Sequence, residues 1–281
     1  MPRTALLAIG SALFLALLAG CGGGAGGGDD AVALSRWLPA GADSYTAVDL
    51  TAFREGLDLP EDADATGREL APYSGPALAP VFAARDRKVL SALEPGALTA
   101  IASDGEVSAM ATTADTGEIG SALGDLGFTD EGGVLAYGDS GTGSGGRESV
   151  AFRLDDGLIF AATDPAALRS LSKEPAEKAP SPLLNDFDAP YVFIAGVPGP
   201  GCIRAQVATA QPGGDGEIAW LVDGGASSDA VESQGSGAIE VGEPEVDGDL
   251  VTVPVSYADE GTGGGIASRE ALGSSQVSYV C

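Results

Sequence analysis

The side chains able to do chemistry in this chain are mostly carboxylates, and few of them fall into a demanding pattern. Asp62-Ala63-Asp64-Ala65-Thr66-Gly67 opens like a calcium loop, with oxygen donors at alternate positions and then glycine. Tyr73 stands where the bidentate glutamate of such a loop is required, so the segment reads as a solvated acidic loop. Ser140 lies in Gly138-Asp139-Ser140-Gly141, a setting suited to a nucleophilic serine. That chemistry needs a base to take the serine proton, and the chain has no histidine at all. Its lysines are Lys88, Lys173 and Lys178, and only Lys88 falls clearly inside a predicted element. Gly141-Thr142-Gly143-Ser144-Gly145-Gly146 matches a phosphate-loop pattern, but no helix is predicted to open after it, as that chemistry requires. Asp155-Asp156 is a carboxylate pair of the type used on glycosides, yet the following Gly157 already explains it as a turn. One cationic group interrupts the acidic background: Arg85, Arg87 and Lys88, near the middle of a helix predicted over 77–93. It reads either as a docking patch for an anionic partner or as a solvated helix face.

The cysteines carry more. Arg3 precedes an apolar run from Ala5 to Leu17, and Leu18-Ala19-Gly20-Cys21 closes it with small residues. A charged start, a short apolar core and a small-residue end describe a secretory signal peptide over 1–20 rather than a membrane span. The ending resembles the lipobox of bacterial lipoproteins. That resemblance implies cleavage before Cys21 and a diacylglyceryl group on its sulfur, with acyl chains such as palmitate anchoring the protein. Two acyl chains hold a protein at a bilayer where one binds reversibly. Residues 21–30 then read as the acylated cysteine and a Gly-rich tether. With Cys21 so assigned, Cys202 and Cys281 remain as a pair in an oxidising location, and a disulfide between them is expected. Closing a loop of roughly 80 residues is worth about 4–5 kcal/mol on the chain-entropy model.

Composition narrows the partners. There are 41 acidic against 14 basic residues, a formal charge of −27 spread along the chain. Such a balance disfavours nucleic acid and an anionic lipid surface. With no histidine and no spare cysteine, no metal centre and no cofactor are expected.

The elements that would position these groups are of mixed type. A strand is predicted over 44–50, with Asp49 or Thr51 capping a short helix to Leu57, and the single helix over 77–93 follows. Two strands flank Asp104-Gly105, the signature of a type I′ hairpin. Asp115 and Glu118 have capping-box spacing before Ile119, Leu123 and Leu126, with Gly127 at the left-handed end. A hairpin turns at 155–157, and Asp164-Pro165 opens a further helix. Asp49 to Arg54 and Asp164 to Arg169 share Asp-x-x-Ala-(Phe or Leu)-Arg after a strand. Leu38 to Asp43, Val48 to Leu50 and this later Asp-Pro-Ala-Ala-Leu-Arg are similar to uncharacterised actinobacterial surface lipoproteins over 31–173, a resemblance that implies no activity. Residues 174–182 are proline-rich and read as a linker. Beyond them 183–281 is mostly strand, with Pro254 marking an edge or a bulge and a short helix over 267–272.

The expected fold is α+β: antiparallel sheets with a few helices packed on one face, as one module over 31–173 and a second over 183–281. The expected role is a lipid-anchored binding or scaffold protein on the outer face of the cytoplasmic membrane, without a catalytic centre. Its partner would be another envelope protein or polymer. A solute-binding receptor lipoprotein is the second reading, and an extracytoplasmic hydrolase working through carboxylates the third.

Overall fold

The structure, a computed structural model, describes residues 27–42, 44–56, 75–82, 87–137, 150–178, 192–196, 201–210, 215–233, 239–257 and 277–281. Strand β1 (Ser44–Asp49) lies in the interior of one large sheet. On one side follow β2 (Leu98–Ser103), β3 (Val107–Thr112), β7 (Leu158–Ala162), β6 (Ala151–Asp155), β5 (Leu135–Tyr137) and β4 (Phe128–Asp130). On the other come β8 (Val192–Gly196), β9 (Ile203–Ala210), β10 (Asp215–Val222) and β14 (Leu250–Tyr257). The far edge of β14 is shared by β12 (Ile239–Val241) and β13 (Glu245–Asp247). A separate pair joins β11 (Val231–Ser233) to β15 (Val277–Tyr279). The neighbouring strands run antiparallel, and the fold is α+β.

Alternation along the strands gives the sheet two apolar faces. Tyr45, Ala47, Ala100, Ala102, Ala109 and Ala219 point to one, and Val48, Ile101, Met110, Ile159, Ile218 and Trp220 to the other. A strand such as Leu98-Thr-Ala-Ile-Ala-Ser103 offers water no polar face, so both sides need cover. Helices α2 (Leu50–Gly56), α3 (Gly75–Phe82), α4 (Arg87–Ala92) and α5 (Thr116–Asp125) bury residues in the large-residue core. The alanine-lined side takes α1 (Gly27–Ser35) and α6 (Pro165–Ser170) instead. Helices therefore cover both faces, where the sequence pointed to one. Small side chains let a helix approach closely, and Ala31 and Leu34 of α1 are buried there.

Helix α1 also shortens the expected tether, because residues 27–30 are helical. Glycine opposes a helix, and burial of Ala31 and Leu34 in the following turn offsets that cost. Behind it the Tyr45 hydroxyl donates to the carbonyl of Pro39 (2.8 Å) and accepts from Ala42 N–H (3.1 Å), which pins the entry to β1. The helix expected over 77–93 is two helices, α3 and α4, with 83–86 outside the described residues. Leu78 and Phe82 of the first are nonetheless buried in one core with Val89 of the second and with Leu93 just past its end.

The β2–β3 turn is not type I′. Gly105 has φ +93°, but Asp104 does not share the positive φ that type I′ demands; among the described residues Glu94 is the one non-glycine there. The Asp104 carboxylate instead accepts from the N–H groups of Glu106 (2.8 Å) and Val107 (2.7 Å). Pro254 lies beside a bulge in β14's outer pairing, as the sequence allowed: the register moves by one residue between Val241 opposite Val255 and Glu245 opposite Thr252. Pro254 itself pairs with Glu217 of β10, and β14's outer partner is broken between β12 and β13 opposite it, where Gly242 N–H donates to the Pro254 carbonyl (2.8 Å). Strand β8, which follows the 174–182 segment, pairs directly with β1, so one sheet runs through both expected modules. The short helix expected over 267–272 lies outside the described residues.

Candidate functional site

Several expected sites fall outside the described residues: Cys21, Arg85, the acidic loop at 62–67, Ser140 and the glycine run at 141–146. Arg87 and Lys88 are exposed in the first turn of α4, at the end where the helix dipole disfavours cations. Cys202 and Cys281 are brought together as a disulfide, with their Cα atoms 5.6 Å apart. The bond holds the chain terminus against the start of β9, and Val280 N–H donates to the Ala230 carbonyl beside it (2.8 Å).

A cleft of about 780 Å³ opens beside α6, at the end of the sheet away from the disulfide. Three turns build it. Strands β6 and β7 reverse through Asp155-Asp156-Gly157, with Gly157 at φ +68°. Gly132 and Gly133, both at positive φ, carry the chain from β4 to β5 while the Asp130 carboxylate accepts from Gly133 N–H (2.7 Å). Asp164 caps α6 by accepting from Ala166 N–H (2.8 Å). The expected turn and cap residues thus serve here as the framework of a site.

Arg153 is the centre of the framework. Its Nη2 and Nε donate to Asp155 Oδ2 (2.6 and 3.2 Å); Nη1 also donates to the carbonyls of Leu168, in the last turn of α6, and Leu171, and Nη2 to that of Ser172, both just past the helix. The guanidinium also lies 4.7 Å from the centre of the Phe160 ring, against which Trp37 tilts at 5.6 Å. One buried ring thereby braces both a cation and a half-exposed indole. At the rim Arg169 pairs with Glu131 (3.2 Å). Asp156 and Lys173 are exposed and make no hydrogen bond or ion pair among the described residues. Asp155 Oδ1 likewise takes none. The wall thus presents free acceptors, a free cation and an aromatic surface over apolar flooring from Val134, Leu158 and Leu171.

In sequence Asp155-Asp156 is explained by its turn, and Arg153, Trp37 and Lys173 carry no site motif. One signal was present: Arg153 interrupts an apolar strand, between Phe152 and Leu154. A smaller hollow of about 240 Å³ lies against Arg54, whose guanidinium is taken by the carbonyls of Leu98 (2.8 Å) and Pro95 (2.7 Å). Among the described residues no group of three or more metal-binding side chains converges, and no helix is long and apolar enough to cross a membrane.

No protein-family model matches the chain, and no curated protein matches it in sequence. Among solved structures it is similar to crystal form I of TP0453, at a TM-score of 0.45 and 10% identity over 87% of this chain and 98% of that one. Crystal form III of TP0453 gives a TM-score of 0.44 and 11% identity over 84% and 97%. That likeness is too slight to carry any chemistry across.

Proposed function

We propose that this chain is a lipid-anchored protein of the bacterial envelope that binds an envelope component in the cleft beside α6 and does no chemistry on it. The cleft carries the reading: its strongest ion pair is spent on bracing the wall, while Asp156, Lys173 and one oxygen of Asp155 are left facing solvent. Hydrolysis of a glycoside calls for two carboxyl groups flanking the bond, and Asp155 and Asp156 are neighbours on a single turn. The lipobox-like Cys21 supports the location. From Cys21 to the first residue of α1 the chain reaches roughly 20 Å at full extension, so an anchor there would hold the folded body close to the bilayer.

Two measurements test this reading. Fatty-acid labelling of cells should mark the wild-type protein and leave Cys21→Ser unlabelled; label persisting in that variant would remove the anchor. The cleft has its own reporter, because the chain has two tryptophans and Trp220 is 1% exposed. Iodide quenching therefore reads Trp37, and at least one fraction of an envelope extract should protect it. If lipid, glycan and protein fractions all leave quenching unchanged, the cleft is not a binding site.

A further inference from the structure

Taking the cleft as a binding site, we infer that its ligand is a saccharide. The charges on its wall oppose one another: Arg153, Arg169 and Lys173 stand with Asp155 and Asp156 in a chain that otherwise carries a large negative excess. A simple anion would meet two carboxylates on the same wall, and a simple cation would meet the arginines. Hydroxyl groups donate and accept at once, so a polyhydroxylated ring satisfies both signs without leaving either unpaired. Asp155 Oδ1 and Asp156 are the free acceptors for such hydroxyls, and Lys173 is the free donor.

The aromatic wall fits the same ligand. Trp37 is only half-buried, and Phe160 behind it is fully buried and braced by Arg153, so the indole is held in one attitude. A fixed flat apolar surface flanked by hydrogen-bonding groups matches the C–H face of a pyranose ringed by its hydroxyls. The volume of about 780 Å³ lies in the range of small-ligand clefts. A lipid chain would leave Asp156 and Lys173 unused, and nothing in the apolar flooring would reward them for being there.

The test uses the full-length lipoprotein in mild detergent, with Trp37 emission as the readout and the N-acetylglucosamine tetramer and maltotetraose as probes. At least one should shift the emission saturably and protect Trp37 from iodide. Asp156→Asn and Lys173→Met alter exposed side chains that brace nothing, so far-UV circular dichroism should be unchanged while binding weakens about tenfold in each. Absence of a saturable change with both saccharides, or wild-type affinity retained in both variants, overturns the saccharide assignment. Protection by a lipid dispersion or a peptide fraction but not by either saccharide also overturns it, and leaves the cleft standing as a binding site for another ligand. Protection by nothing at all removes both.

Discussion

Several aspartates among the described residues serve the backbone. Asp49 accepts from the N–H groups of Thr51 (2.9 Å) and Ala52 (3.0 Å), Asp115 from Gly117 (2.7 Å) and Glu118 (3.1 Å), and Asp164 from Ala166 (2.8 Å). Each satisfies donors that a helix start leaves open. Asp115→Ala should therefore cost about 0.5–2 kcal/mol, seen as a lower midpoint in urea with an unchanged slope. An unchanged midpoint would mean that solvent or a neighbour replaces the cap. These roles were legible because partners two and three residues apart obey local rules. The two Asp-x-x-Ala-(Phe or Leu)-Arg segments show where legibility ends. Both aspartates cap a helix after a strand, as their shared spacing suggested. Their arginines diverge: Arg54 is buried and reaches carbonyls 44 and 41 residues away, while Arg169 pairs with Glu131 near the surface. Nothing in either hexapeptide could have told them apart. Arg153 was hidden for the same reason, since its partners at Leu168, Leu171 and Ser172 belong to another element.

Elements were legible in proportion to their length and to how far local signals set their ends. The helix α5, with its cap, its apolar repeat and Gly127 at φ +95°, came out as read. Strands β4, β11 and β13, at three residues each, carry too few alternations to stand out from loops, and their partners decide them. Glycines show how much an element's surroundings matter. Gly124 lies in α5 with open space around its missing side chain, so Gly124→Ala should stabilise the protein by about 0.5–1 kcal/mol. Gly216 in β10 has the carbonyl of Thr209 and the ring of Tyr257 where a methyl would go, and the Tyr257 hydroxyl already bonds that carbonyl (3.0 Å). Gly216→Ala should destabilise by at least about 1–3 kcal/mol. Thermal melts of the pair should move in opposite directions. A shared direction would mean that β10 does not approach β9 as closely as described.

At the scale of the whole molecule, the sheet decides how the two expected modules behave. Strand order cannot be read from a single sequence, and a proline-rich stretch at 174–182 invites a boundary. Yet β8 pairs with β1 along five registered positions, and the large-residue core contains Val48 and Ile101 together with Ile218, Trp220 and Tyr279. Unfolding the second half would strip a partner from β1 and open a core shared with the first, so the two halves should unfold together. The disulfide sits at the far end of that second half, and Tyr279 beside it lies 6.2 Å from Trp220, ring to ring. Removing it as Cys202→Ser/Cys281→Ser should cost roughly 4–5 kcal/mol on the chain-entropy model. If cooperation runs through the β1–β8 pair, that loss must reach the first half undiminished. Trp220→Phe leaves Trp37 to report on the first half, and Trp37→Phe leaves Trp220 to report on the second. Comparing each background with and without the disulfide in a guanidinium titration cancels the cost of the tryptophan change itself. Both reporters should shift to lower denaturant by the same amount. A shift confined to Trp220 would show that the sheet, though continuous in hydrogen bonds, transmits no stability across the β1–β8 seam.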